Sequence, residues 1–132
     1  MPLPSAGKTP PVRRVLAVAP LAALFLVGCG QPSEPAKEAA ALQSLAAEGA
    51  LLASDAAEGR STTPFVRVQS LALAGQASSL ASVVEGRTLG VLSRRVQADL
   101  ERLSDSAGDA KTARRLSRRL ERETQAARRL SR

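Results

Sequence analysis

The chain has 132 residues, 44% of them apolar and 23% charged, with a net charge of +7; these values describe one globular domain and argue against a multidomain enzyme or a long disordered tail. There is no His, Trp or Tyr, and one Cys, so an imidazole base, a Cys/His nucleophile pair and zinc-type clusters are excluded, and no metal or cofactor is expected.

The amino-terminal segment reads as an address. Lys8, Arg13 and Arg14 make a positive start, and Val15 to Val27 is an apolar run of 13 residues interrupted only by Pro20, the layout of an export signal. A spanning helix needs roughly 20 apolar residues, so the run is too short to cross a bilayer by itself. It ends in Leu26-Val27-Gly28-Cys29, which resembles the lipobox of bacterial lipoproteins. That resemblance implies that the Cys29 thiol receives a diacylglycerol, that residues 1–28 are removed as a signal peptide, and that Cys29 becomes the acylated first residue. It also implies attachment to the outer face of the plasma membrane, or to the outer membrane where two membranes exist, because Gly30 is not the Asp that favours inner-membrane retention. An exported chain with a single Cys has no internal disulfide partner, which agrees with a lipidated thiol. Residues 30–35 make a short polar tether with Pro32 and Pro35, reaching at most about 20 Å.

The domain over 36–132 reads as all-α. Gly59, Gly86 and Gly108 each precede a helix start, the order expected of helix ends and new caps. Thr63-Pro64 suggests an N-cap followed by Pro in the first turn; Asp109 and Ser33 are caps of the same kind. Four helices are expected, about 34–58, 64–85, 89–107 and 110–131, with one apolar stripe each. The first carries Leu42, Leu45, Gly49, Leu52 and Ala56. The second carries Val66, Leu73, Ala77, Leu80 and Val84, flanked by Phe65 and Val83, with Gln69 and Gln76 on the inner face and Val68 and Leu71 facing away. The third carries Leu89, Leu92, Val96, Leu100, Leu103 and Ala107, and the fourth Ala113, Leu116, Leu120, Ala127 and Leu130. Short connections make consecutive helices antiparallel neighbours, so the expected fold is a small antiparallel up-down bundle. Its core is thin, since residues 30–132 hold 14 Leu, 6 Val and 1 Phe against 20 Ala.

Charge is concentrated in the last helix. Segment 109–132 holds Lys111 and eight arginines (Arg114, Arg115, Arg118, Arg119, Arg122, Arg128, Arg129 and Arg132) against Asp109, Glu121 and Glu123, a net charge of +6, whereas segment 30–108 carries −2. The hexapeptide Ala-Arg-Arg-Leu-Ser-Arg occurs at 113–118 and again at 127–132, two heptads apart, so both copies present one face. This is a basic amphipathic helix, suited to an anionic partner: phospholipid headgroups, a wall polymer or an acidic protein. The bland alternative is a solvated face beside an acidic first helix, Arg being a good helix former. Nucleic acid is not expected, because no aromatic stacking platform exists and the location is exported. Glu123 falls inside the apolar stripe and calls for a buried partner, most simply an Arg from another helix. No catalytic constellation accompanies it. The sequence therefore points to a non-enzymatic, lipid-anchored envelope protein that binds through 109–132, with an oligomerising structural or adaptor bundle as the alternative.

Overall fold

The computed structural model describes residues 34–84 and 86–132. They form four α-helices: α1 (Glu34–Ala57), α2 (Thr63–Val83), α3 (Arg87–Asp105) and α4 (Ala110–Leu130). No strand occurs among the described residues, and the all-α bundle is the fold. Leu26, Val27, Gly28 and Cys29, with residues 30–33 of the expected tether and the Ser33 cap, lie outside the described residues; Glu34 and Pro35, expected to end the tether, instead form the first turn of α1.

Helix ends follow local chemistry with small shifts from expectation. Gly59 closes α1 with φ 70°, a left-handed conformation that an L side chain resists. That conformation lets the Arg60 amide reach the Asp55 carbonyl (2.8 Å) and the Gly59 amide reach the Ala56 carbonyl (3.2 Å), satisfying carbonyls that would otherwise be orphaned. At α2 the N-cap is Thr62 rather than Thr63, with extended φ/ψ and no side-chain cap bond; Pro64 still sits in the first turn, where its missing amide has no intrahelical role to lose. Gly86 is not a left-handed stop after α2 but the extended N-cap of α3.

The helices alternate in direction. Ser104, near the end of α3, donates to the Arg67 carbonyl near the start of α2 (3.3 Å), and Thr88, at the start of α3, shares a cavity wall with Leu130 at the end of α4. Packing is uneven around the bundle. Helix α1 lies most extensively on α4, and α2 on α3, whereas α1 and α2, and α3 and α4, meet along narrower strips. Helices α1 and α3 touch across one diagonal; α2 and α4 do not meet.

Small residues explain the tight α1–α4 pair. Helix α1 buries Ala39, Ala46, Gly49, Ala50 and Ala53 beside Leu42 and Leu52, and α4 answers with Ala113, Ser117 and Ala127. The backbones come close enough for the Ser117 hydroxyl to donate to the Ala50 carbonyl of α1 (3.2 Å). Gly49 sits at the centre: a Cβ there would lie 2.6 Å from Leu100 Cδ2 and 3.3 Å from Leu120 Cδ1. Leu100 of α3 thus fills the space of the missing side chain and joins the two helix pairs. The larger core side chains are Leu42, Leu73, Leu100, Leu103, Leu120, Val66 and Val96; Pro32–Arg132 forms one compact unit, and its described buried residues make one core cluster.

Five inner-face assignments change. Phe65 and Val83 are exposed at 54% and 62%, so they do not flank the core; the buried face of α2 is Val66, Ser70, Leu73, Ala74 and Ala77. Gln76 is exposed, and Gln69 is half-buried, its amide donating to Glu48 Oε1 of α1 (3.1 Å); both sit at the edge of the narrow α1–α2 strip. Leu130 is 41% exposed; it is the last residue of α4 and lines an open cavity with Thr88 and Val91 of α3. Val68 and Leu71 face outward as expected, at 68% and 52%.

Candidate functional site

Asp109 starts α4, its side chain accepting from the amides of Lys111 (2.9 Å) and Thr112 (3.3 Å). Bonds from the Thr112 hydroxyl and amide, then from Lys111, hold its carboxyl below the usual range. The cap sets the phase of the helix. Ala113, Leu116, Ser117, Leu120, Glu123 and Ala127 turn inward, and Arg114, Arg115, Arg118, Arg122, Arg128, Arg129 and Arg132 are exposed. Arg119 departs from the expected face: it is half-buried and its Nε lies 2.9 Å from Asp99 Oδ2.

The acidic first helix does lie along α4, yet it does not neutralise it. Glu34 pairs with Lys37, Asp55 and Glu58 pair with Arg60, and Glu48 accepts from Gln69. Among the described residues no ion pair reaches Arg114, Arg115, Arg118, Arg128, Arg129 or Arg132. Counting from Gly49 opposite Leu120, α1 runs back to Glu34 and α4 runs on to Arg132 toward the same end of the bundle. The second hexapeptide therefore lies at the end where the described chain begins.

Beneath this face lies a carboxylate pair that the sequence only half disclosed. Asp99 of α3 is fully buried, held between Arg119 of α4 and Arg102 Nη1 of its own helix, 3.5 Å away. Asp99 lies one position before Leu100 in the stripe Val96, Leu100, Leu103; an acid beside that run was the available signal. Glu123 is 9% exposed, and the Arg expected to partner it from another helix makes no hydrogen bond to it: Glu123 Oε2 is buried without a partner, as is Asp99 Oδ2 by hydrogen-bond geometry. The cross-helix arginine pair belongs to Asp99 instead. Burial, then the charge of Asp99, raises the Glu123 carboxyl to about 7, against the pull of Arg119, Arg95 and Arg122. Burial raises Asp99 as well, with Arg119 and Arg102 opposing. Two carboxylates in one low-dielectric space resist joint ionisation.

The narrow α3–α4 strip leaves two adjoining cavities. One, about 310 Å³, is rimmed by Arg95, Arg119, Arg122 and Glu123. The other, about 490 Å³, is walled by Val91, Leu92, Ala126 and Leu130. Among the described residues there is no cluster able to hold a metal ion and no helix long and apolar enough to cross a membrane. Comparison with protein-family models, curated proteins and solved structures yields no match to this chain.

Proposed function

We propose that this chain is a non-enzymatic, lipid-anchored cell-envelope protein, attached through Cys29, whose bundle binds an anionic surface through the arginine face of α4. The observation that carries the reading is the set of six exposed arginines without an ion-pair partner among the described residues, although an acidic helix runs alongside. Each basic group near an anionic membrane contributes up to about 1 kcal/mol, and Arg128, Arg129 and Arg132 occupy the end from which the tether leaves. The apolar side of α4 is consumed by the core, so the contact is electrostatic and peripheral rather than inserted.

A fragment of residues 30–132, holding the compact unit, tests this by co-sedimentation with neutral and anionic vesicles at low and high salt. The variant replaces Arg114, Arg115, Arg118, Arg128, Arg129 and Arg132 by Gln and keeps Arg119, which Asp99 uses. Binding to anionic vesicles that fades as the screening length falls from about 10 Å at 0.1 M to about 3 Å at 1 M, and that the variant lacks, supports the reading. Equal sedimentation of variant and parent sinks it.

A second reading, an oligomerising adaptor, has its own support in α2. Its only charge is Arg67, and Phe65, Val68 and Leu71 are exposed. The small-residue faces of α1 and α4 are closed on each other, so oligomers would use this α2 face, at the corner diagonal to α4. Light scattering of the fragment, with Val68→Glu as control, separates the two readings.

A further inference from the structure

We propose that the α3–α4 groove is a binding site for a single-chain carboxylate amphiphile, its anionic head among Arg95, Arg119 and Arg122 and its alkyl chain along Val91, Leu92, Ala126 and Leu130. The two cavities meet at shared walls, Leu92, Arg95 and Ala126, so they form one groove, cationic at one end and floored at the other by Val91, Leu92, Ala126 and Leu130, with Thr88 and Arg129 also lining that end. This arrangement is the complement of an amphiphilic anion.

The head end is built rather than incidental. Its three guanidiniums come from two helices, and Arg119 is fixed by fully buried Asp99. Glu123 lines the same cavity, nine-tenths buried, with an oxygen that finds no partner. Of the charged groups lining the pocket, Arg95, Arg119 and Arg122 outnumber Glu123, and Asp99 beneath them is also paired with Arg102, so the pocket favours a negative guest. Guanidinium forks match a carboxylate in two parallel bonds, and a protonated Glu123 donates to such a guest where an ionised one would repel it. The tail end follows from packing. From Arg122 to Leu130 is eight residues of helix, about 12 Å, comparable to a medium-length alkyl chain. The exposed Leu130 falls on this path.

The inference does not rest on vesicle binding: the guest is a free monomer, and the arginines replaced in the sedimentation variant include none of the three at the head. The test is a titration of isotopically labelled 30–132 with dodecanoate below its micelle concentration, followed by NMR. The expected result is saturable, one-to-one shifts centred on Leu92, Arg95, Glu123 and Ala126. Affinity should rise up to about fourfold for each methylene added from octanoate to dodecanoate. Ala126→Leu, which plugs the neck, and Arg95→Gln with Arg122→Gln should each weaken binding by about tenfold or more while the helical circular dichroism is retained. A five-arginine variant that keeps Arg129, which lines the groove, should bind dodecanoate nearly as the parent does, whatever it does with vesicles. Acetate or inorganic phosphate binding as tightly as dodecanoate would reduce the site to an anion contact and overturn the assignment. So would dodecanol binding equally well, dodecyl phosphate binding more tightly than the carboxylate, or shifts that never localise to the groove.

Discussion

Replacing Glu123 by Gln removes an ionisable group from a place where its charge is unwelcome, and the consequence is a change in how stability depends on pH. The folded carboxyl titrates at about 7 and the ordinary value is 4.5, so the folded state holds its proton more tightly than the unfolded chain. For such a group stability is fully present below about pH 4.5 and is lost as pH rises through about 7. A difference of this size corresponds to about 3 kcal/mol in the limit, and on the order of 2 kcal/mol after discounting for water and guanidinium screening at the cavity rim. For a domain of this length that is a change of roughly 10 °C in melting temperature. No His titrates in this window, and Asp109, whose carboxyl is lowered, loses its contribution only in strong acid; Asp99, also raised by burial, is present in parent and variant alike, so the comparison isolates Glu123. Gln resembles the protonated acid in shape and hydrogen-bonding groups. The variant should therefore match the parent near pH 5 and exceed it near pH 8, as read by denaturant or thermal unfolding of 30–132 at both values. A parent whose stability is level between pH 5 and 8, or a variant shifted equally at both, would refute the account of Glu123 as a carboxyl kept neutral by burial.

The neighbouring acid supplies a related test. Asp99→Asn removes the nearby negative charge that helps hold the Glu123 proton, so the Glu123 titration followed by NMR should move down; an unchanged midpoint would mean that Asp99 is not coupled to it. Two glycines in helix interiors should respond with opposite signs. Gly75→Ala meets nothing within 4 Å and should stabilise by up to about 1 kcal/mol through helix propensity. Gly49→Ala gains the same but drives a Cβ to 2.6 Å from Leu100, and overpacking a tight core costs about 1–3 kcal/mol. A net loss of about 1 kcal/mol is expected, measured by denaturant unfolding. Leu100→Val should reduce that loss in the double variant, and strict additivity would rule out the proposed contact.

Much of this bundle was legible in one dimension. Four helices follow from the apolar period and the spacing of their stops, because a stripe that recurs every three to four residues can be buried only on a helix. Every member of the α3 stripe is buried where its spacing puts it, and Asp109 caps as its position requires. The arginine face is equally a property of the sequence, since a repeat two heptads apart must return to the same side. Partnering was not legible, because it depends on which helices meet and how closely. The α1–α4 pair is tight because the small residues of α1 meet Ala113, Ser117 and Ala127 of α4, and a list of alanines does not say which helix will answer. Tertiary packing therefore decided that Arg119 leaves the basic face to serve Asp99, that Glu123 is left without a hydrogen-bond partner, and that Phe65 and Leu130 stay in water. It also decided that Gly49 is an opening for Leu100. A single sequence encodes the period of each stripe, but the desolvation of a charge or the fit of a side chain arises only when a second helix arrives.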